Sequence, residues 1–177
     1  MGASASDGWA ASEKARLTAA AEKLGLALAE AECILVTGAT TGLPHLVAQT
    51  FRRAGAFALG VSPAINRDEH LQRYGLPEDG ADVIVYTGFG LKGRNVINIR
   101  SSEIVIIFGG GMGTLNEFTI AYDEGKVIGV LEDTGGIADH IREIISFCNK
   151  HTSSVIVYDD DPRNLVRKCL ERWKAKQ

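Results

Sequence analysis

The stretch Ile104-Val105-Ile106-Ile107-Phe108-Gly109-Gly110-Gly111-Met112-Gly113-Thr114 decides the fold. Its first half is an unbroken apolar run. A strand with one wet face alternates apolar and polar residues, whereas a strand covered on both faces does not. The run therefore predicts a strand in a parallel sheet with helices on both sides. The second half predicts the turn through which that strand enters a helix. Four of its six residues are glycine, and glycine lets a backbone take dihedrals, or approach a ligand, that a Cβ would forbid.

Working outward, the same alternation repeats. Strands are predicted at Cys33–Thr37, Phe57–Ser62, Asp82–Thr87, Val127–Leu131 and Val155–Tyr158. Helices are predicted at 43–54, 94–102, 114–124, 136–150 and 162–175. An alanine-rich helix over 12–31 precedes them, with Leu17, Ala20, Ala21, Leu24 and Leu28 at helical spacing. Strand–helix alternation predicts a single-domain α/β fold: a doubly wound, Rossmann-like parallel sheet of five or six strands flanked by helices. The amino end is abrupt, because Met1 to Ser6 runs into a helix without a strand. Either a first strand is lost or the sheet begins at Cys33. The connection 63–81 is long for a compact domain, which fits a functional loop or a solvated excursion.

Composition bounds the function. A chain of 177 residues with 45% hydrophobic and 23% charged residues can bury a full core as one domain. A net charge of −3, with no basic stripe outside the C-terminal helix, argues against a nucleic-acid partner. The apolar runs fall far short of the roughly twenty residues that span a membrane. Cys33, Cys148 and Cys169 are scattered, and no secretory signal is visible, which predicts reduced thiols and a cytoplasmic location. The four histidines show no metal spacing, so no metal and no cofactor are expected.

Two glycine turns sit where such sheets bind ligands, at the carboxyl ends of strands. One is Thr37-Gly38-Ala39-Thr40-Thr41-Gly42. The other runs from Gly109 through Gly110, Gly111, Met112 and Gly113 to Thr114. Free helix-terminal N–H groups there can hold a phosphate, with the Thr114 hydroxyl as a further donor. Glu117 admits two readings: Thr114-x-x-Glu117 has the spacing of a capping box, and a carboxylate there can also face a ligand. Arg94 stands at a predicted helix start, where positive charge opposes the helix dipole. That suggests an anionic ligand, although a plain surface arginine fits too. Asn98 lies one turn further on the same face. Thr37-Gly38-x-x-x-Gly42 with Tyr122-x-x-x-Lys126 imitates the short-chain dehydrogenase signature. The match fails, because Tyr122 and Lys126 straddle Gly125, a predicted helix end.

Gly109-Gly110-Gly111-Met112-Gly113-Thr114-Leu115-Asn116-Glu117 resembles the Pro-Gly-Gly-x-Gly-Thr-x-x-Glu motif of the Lonely Guy (LOG) family of phosphoribohydrolases. That family's catalytic arginine precedes the motif glutamate by 23 residues, and counting back from Glu117 reaches Arg94. The turn Gly38 to Leu43 resembles the family's first glycine turn. The resemblance implies Arg94 and Glu117 as a catalytic pair that hydrolyses the N-glycosidic bond of a nucleoside 5′-monophosphate. It also implies a homodimer with its site near the interface. The chain departs from the motif at Gly109, which replaces a proline. It also lacks a histidine and a lysine in Leu91-Lys92-Gly93-Arg94-Asn95, and Asn116 replaces a second glutamate. The family's first strand and Gly-Ser loop are reduced to Met1-Gly2-Ala3-Ser4. These differences resemble a sister branch, the molybdenum cofactor carriers, which bind a phosphorylated pterin without catalysis. A non-catalytic carrier or sensor is the alternative.

Overall fold

The elements follow in the order α1 (Ala11–Glu30), β1 (Leu35–Thr37), α2 (Leu43–Arg53), β2 (Ala58–Ser62), β3 (Val83–Tyr86), α3 (Gly90–Arg100), β4 (Ile104–Phe108), α4 (Met112–Asp123), β5 (Val127–Leu131), α5 (Ile141–Cys148), β6 (Val155–Asp159) and α6 (Pro162–Lys174). The structure is a computed structural model, and it describes residues 1–2 and 10–177. Ala3 and Ser4 of the expected amino-terminal loop lie outside the described residues.

All strand pairs are parallel. They form two three-stranded halves, ordered β1-β2-β3 and β4-β5-β6. Among the described residues the two halves are not hydrogen-bonded to each other. The alternation of β4 explains its unbroken apolar run. Val105 and Ile107 pack with Ile99, Phe118, Ile128 and Ile141 on one face. Ile104, Ile106 and Phe108 pack with Leu17, Leu24, Leu43 and Leu165 on the other. Burying a side chain of this size contributes about 1.5–3 kcal/mol, so each face holds its helices. No helix among the described residues is long and apolar enough to cross a membrane.

Several predicted boundaries move, and two of the moves matter for the site. Helix α3 starts at Gly90, because Gly88 and Gly90 at φ 69° and 68° turn the chain before it. Arg94 is therefore in the second turn and buried, not at an exposed helix start, and the dipole argument for it fails. Helix α4 starts at Met112, with Gly111 as a cap that makes no side-chain bond. Glu117 is thus also in the second turn, and the capping-box reading is wrong. The helix expected over 136–150 divides into a 3-10 turn at Gly136–His140 followed by α5. Gly135 and Gly136, both at positive φ, bring this segment back onto the glycine turn.

The long connection 63–81 is packed. His70 is fully buried, its ring hydrogen-bonded to Ser62 Oγ at 2.8 Å and to the Pro77 carbonyl at 3.2 Å. Asn66 Oδ1 accepts from the Glu69 N–H to start a single π-type turn. Tyr122 lies in α4 and Lys126 beyond Gly125 at φ 70°, so they do not share a helical face.

Candidate functional site

The carboxyl ends of β1 and β4 open on a cavity of about 900 Å³. Arg94 and Glu117 meet in its wall. Arg94 Nη1 lies 3.3 Å from Glu117 Oε1, and the residues are only 6% and 8% exposed. Burial pulls the guanidinium below its ordinary range, while the charge of Glu117 and its hydrogen bond pull back. Arg94 Nη1 also donates to Asn95 Oδ1 at 2.7 Å, and Asn95 Nδ2 donates to Asn116 Oδ1 at 2.8 Å. The arginine is thus fixed from α3 and α4 together. Asn116, where the LOG motif has a second glutamate, has become part of that brace.

Two buried polar atoms have no protein partner among the described residues: Arg94 Nε and Asn98 Oδ1. Both residues line the cavity. A buried donor or acceptor left unpaired costs about 1–3 kcal/mol. Arg94 Nε offers a donor to an anion, and Asn98 Oδ1 offers an acceptor to a hydroxyl or amine.

The glycine turns do different work. A Cβ on Gly38 would overlap the Arg94 guanidinium, so glycine at 38 is what lets the arginine lie against β1. Gly110, at φ 93°, leaves no room for a Cβ beside the Thr114 side chain. Gly111 has open space around it and lines the cavity with Met112, Gly113 and Thr114. These residues form the amino end of α4, whose first N–H groups have no intrahelical partner. Gly109, Gly110, Thr41 and Gly42 do not line the cavity. The Gly109 N–H donates to Thr134 Oγ1 at 2.8 Å, so it is taken up within the protein.

Four residues without a motif of their own support the site. Lys92 lines the cavity, its ammonium 3.4 Å from where a Cβ on Gly113 would stand, adding positive charge at the α4 terminus. Asn95 braces Arg94. Thr134 joins the Gly109 N–H to the Leu131 carbonyl. Gly136 packs against Gly110, whose carbonyl accepts from the Ile137 N–H at 2.9 Å. The place of Lys92, two residues before Arg94, is a signal that could have found it. Thr134 and Gly136 carry no local signal.

Thr134→Val tests this buttress. Valine keeps the shape but leaves the Gly109 N–H and the Leu131 carbonyl without their partner. Stability is expected to fall by about 1–3 kcal/mol, read by urea unfolding.

The chain matches the SLOG cluster4 family over residues 1–166. It belongs to that family. A protein of Archaeoglobus fulgidus is 31% identical over 112 residues, which are 63% of this chain and 68% of that protein. Among solved structures, TM1055 superposes with a TM-score of 0.76 at 25% identity, covering 89% of each chain. The molybdenum cofactor binding protein of the phototrophic bacterium Rippkaea orientalis gives 0.69 at 27% identity, covering 90% of this chain and 87% of that one. The molybdenum cofactor carrier protein of Chlamydomonas reinhardtii gives 0.70 at 24% identity over 90% and 89%, a likeness of fold. This SLOG cluster4 chain therefore shares its Rossmann-like architecture with proteins that hold a ligand.

Proposed function

We propose that this protein binds a phosphorylated small molecule in the cavity between β1 and β4 and holds it as a carrier or sensor does. The observation that carries the reading is the buried, unpartnered Arg94 Nε, on a residue that lines the same cavity as the amino end of α4. Arginine and helix-terminal N–H groups are both donors suited to a phosphate. Lys92 adds charge, and Asn98 Oδ1 would select a donor group on the rest of the ligand. The 27% identity to the Rippkaea orientalis cofactor-binding protein supports a held ligand.

Hydrolysis of a nucleoside 5′-monophosphate is the second reading, favoured by the contact of Arg94 with Glu117. In it, Glu117 stabilises positive charge on the sugar as the C1′–N bond breaks and water adds at C1′. Ribose 5-phosphate and the protonated base would leave. Holding is preferred because the Rippkaea orientalis protein, alike over 90% of this chain, is a cofactor-binding protein.

Incubation with AMP separates the two. The holding reading expects no adenine release above a Glu117→Gln control, together with a phosphorylated ligand released on denaturing the protein purified from cells. Steady adenine release that Glu117→Gln abolishes establishes the hydrolase. Purified protein that carries no ligand, and neither binds nor cleaves AMP, contradicts both.

A further inference from the structure

Five charged side chains line the cavity among the described residues. Lys92, Arg94 and Glu117 stand toward the carboxyl ends of the strands, and Glu32 and Glu103 stand ahead of β1 and β4. The last two lie a strand length away, roughly 15 Å. Charges further apart than about 8–10 Å are largely screened at ordinary ionic strength. The charge at the carboxyl end is therefore set by the first three. Arg94 and Glu117 pair with each other and cancel. Lys92 is left over. It is exposed, and among the described residues it has no carboxylate partner.

The place of this ammonium is unusual. It lies 3.4 Å from where a Cβ on Gly113 would stand, beside the first turn of α4. That turn is the positive end of a helix, with N–H groups that lack intrahelical partners. A cation there is locally unfavourable, and an anion seated between the two removes the cost. Arg94 Nε and Asn98 Oδ1, buried and unpartnered, line the same cavity. The helix end alone offers about +0.5 of charge, and with Lys92 the sum is about +1.5. A phosphomonoester carries about −1.5 to −2 near neutral pH, whereas a phosphodiester carries a single negative charge.

We propose that Lys92 reads the charge of the ligand, selecting a free terminal phosphate over a phosphodiester. This rests on the phosphate reading above and narrows it to phosphomonoesters. Lys92 supplies the net charge, because the arginine's own charge is spent on Glu117.

Calorimetric titration with AMP, and separately with the 5′-methyl ester of AMP, tests it. The first is a monoester, and the second is a diester with the same base and sugar. The parent chain is expected to bind AMP at least about tenfold more tightly than the ester, the worth of one charged hydrogen bond. Lys92→Arg is expected to keep that preference. Lys92→Met is expected to bring the two ligands within about threefold of each other, through loss of AMP affinity. Lys92→Met is also expected to unfold at the parent's temperature, since an exposed, unpaired side chain contributes little to stability. A preference that survives Lys92→Met, or a parent chain that binds both ligands equally, overturns the inference and leaves the phosphate reading standing. A parent chain that binds neither overturns both.

Discussion

Arg94→Ala is expected to lower stability by about 3–5 kcal/mol, because Glu117 is left as a buried carboxylate without its partner. In a chain of this length that is a fall in Tm of about 10 °C or more. Binding of a phosphomonoester is expected to weaken at least about tenfold, the loss of one charged hydrogen bond. A structural role alone would give the first effect, so a second variant separates them. Arg94→Met combined with Glu117→Leu removes both charges and fills the space. Replacing a buried pair by apolar groups of similar volume is often neutral or stabilising. The double variant is therefore expected to recover most of the lost Tm and none of the lost affinity. Recovery of both would leave Arg94 a packing residue.

Gly38→Ala is expected to be as damaging to binding while leaving the charges in place. The new Cβ would stand where the guanidinium lies. Either Arg94 moves away from β1 or β1 shifts, an overpacking cost of about 1–3 kcal/mol. Arg94 then no longer keeps its place in the cavity wall, and affinity for a phosphomonoester falls at least about tenfold. Gly111→Ala is the informative companion. Its Cβ meets nothing in the protein, and its φ of −131° lies outside the left-handed region. Its stability is expected to stay within about 0.5 kcal/mol of the parent, yet it lines the cavity and its methyl would stand at the α4 terminus. Thermal unfolding and AMP titration of both variants distinguish a glycine needed for packing from one needed for a ligand's approach. Unchanged AMP binding by Gly111→Ala contradicts a phosphate seated on that turn.

The architecture is legible in the sequence because β4 and β5 are buried on both faces, and an unbroken apolar run of strand length fits a strand covered on both sides. Arg94 and Glu117 are legible too, but partly for reasons that fail. Periodicity puts each at a helix start, and each lies in a second turn, because Gly90 and Met112 begin their helices earlier. A helix start set by glycine dihedrals leaves a weak periodic signal. The work of Gly38 also differs from what its motif suggests. Its place after a strand points to a phosphate turn, and its tightest neighbour is an arginine 56 residues later. Thr134 and Gly136 are invisible for one physical reason: each makes its contact with a segment far away in the chain, with no local pattern to mark it.

The central claim is that Arg94 and the amino end of α4 receive the phosphate of a small molecule. Nitrogen–proton correlation NMR of the labelled protein, titrated with AMP and separately with adenosine, tests it most directly. The account predicts that AMP shifts the Arg94 Nε–H resonance and the amides of Gly111, Met112 and Gly113, and that adenosine leaves them in place. Equal shifts with adenosine, or AMP shifts confined to other residues, would contradict it.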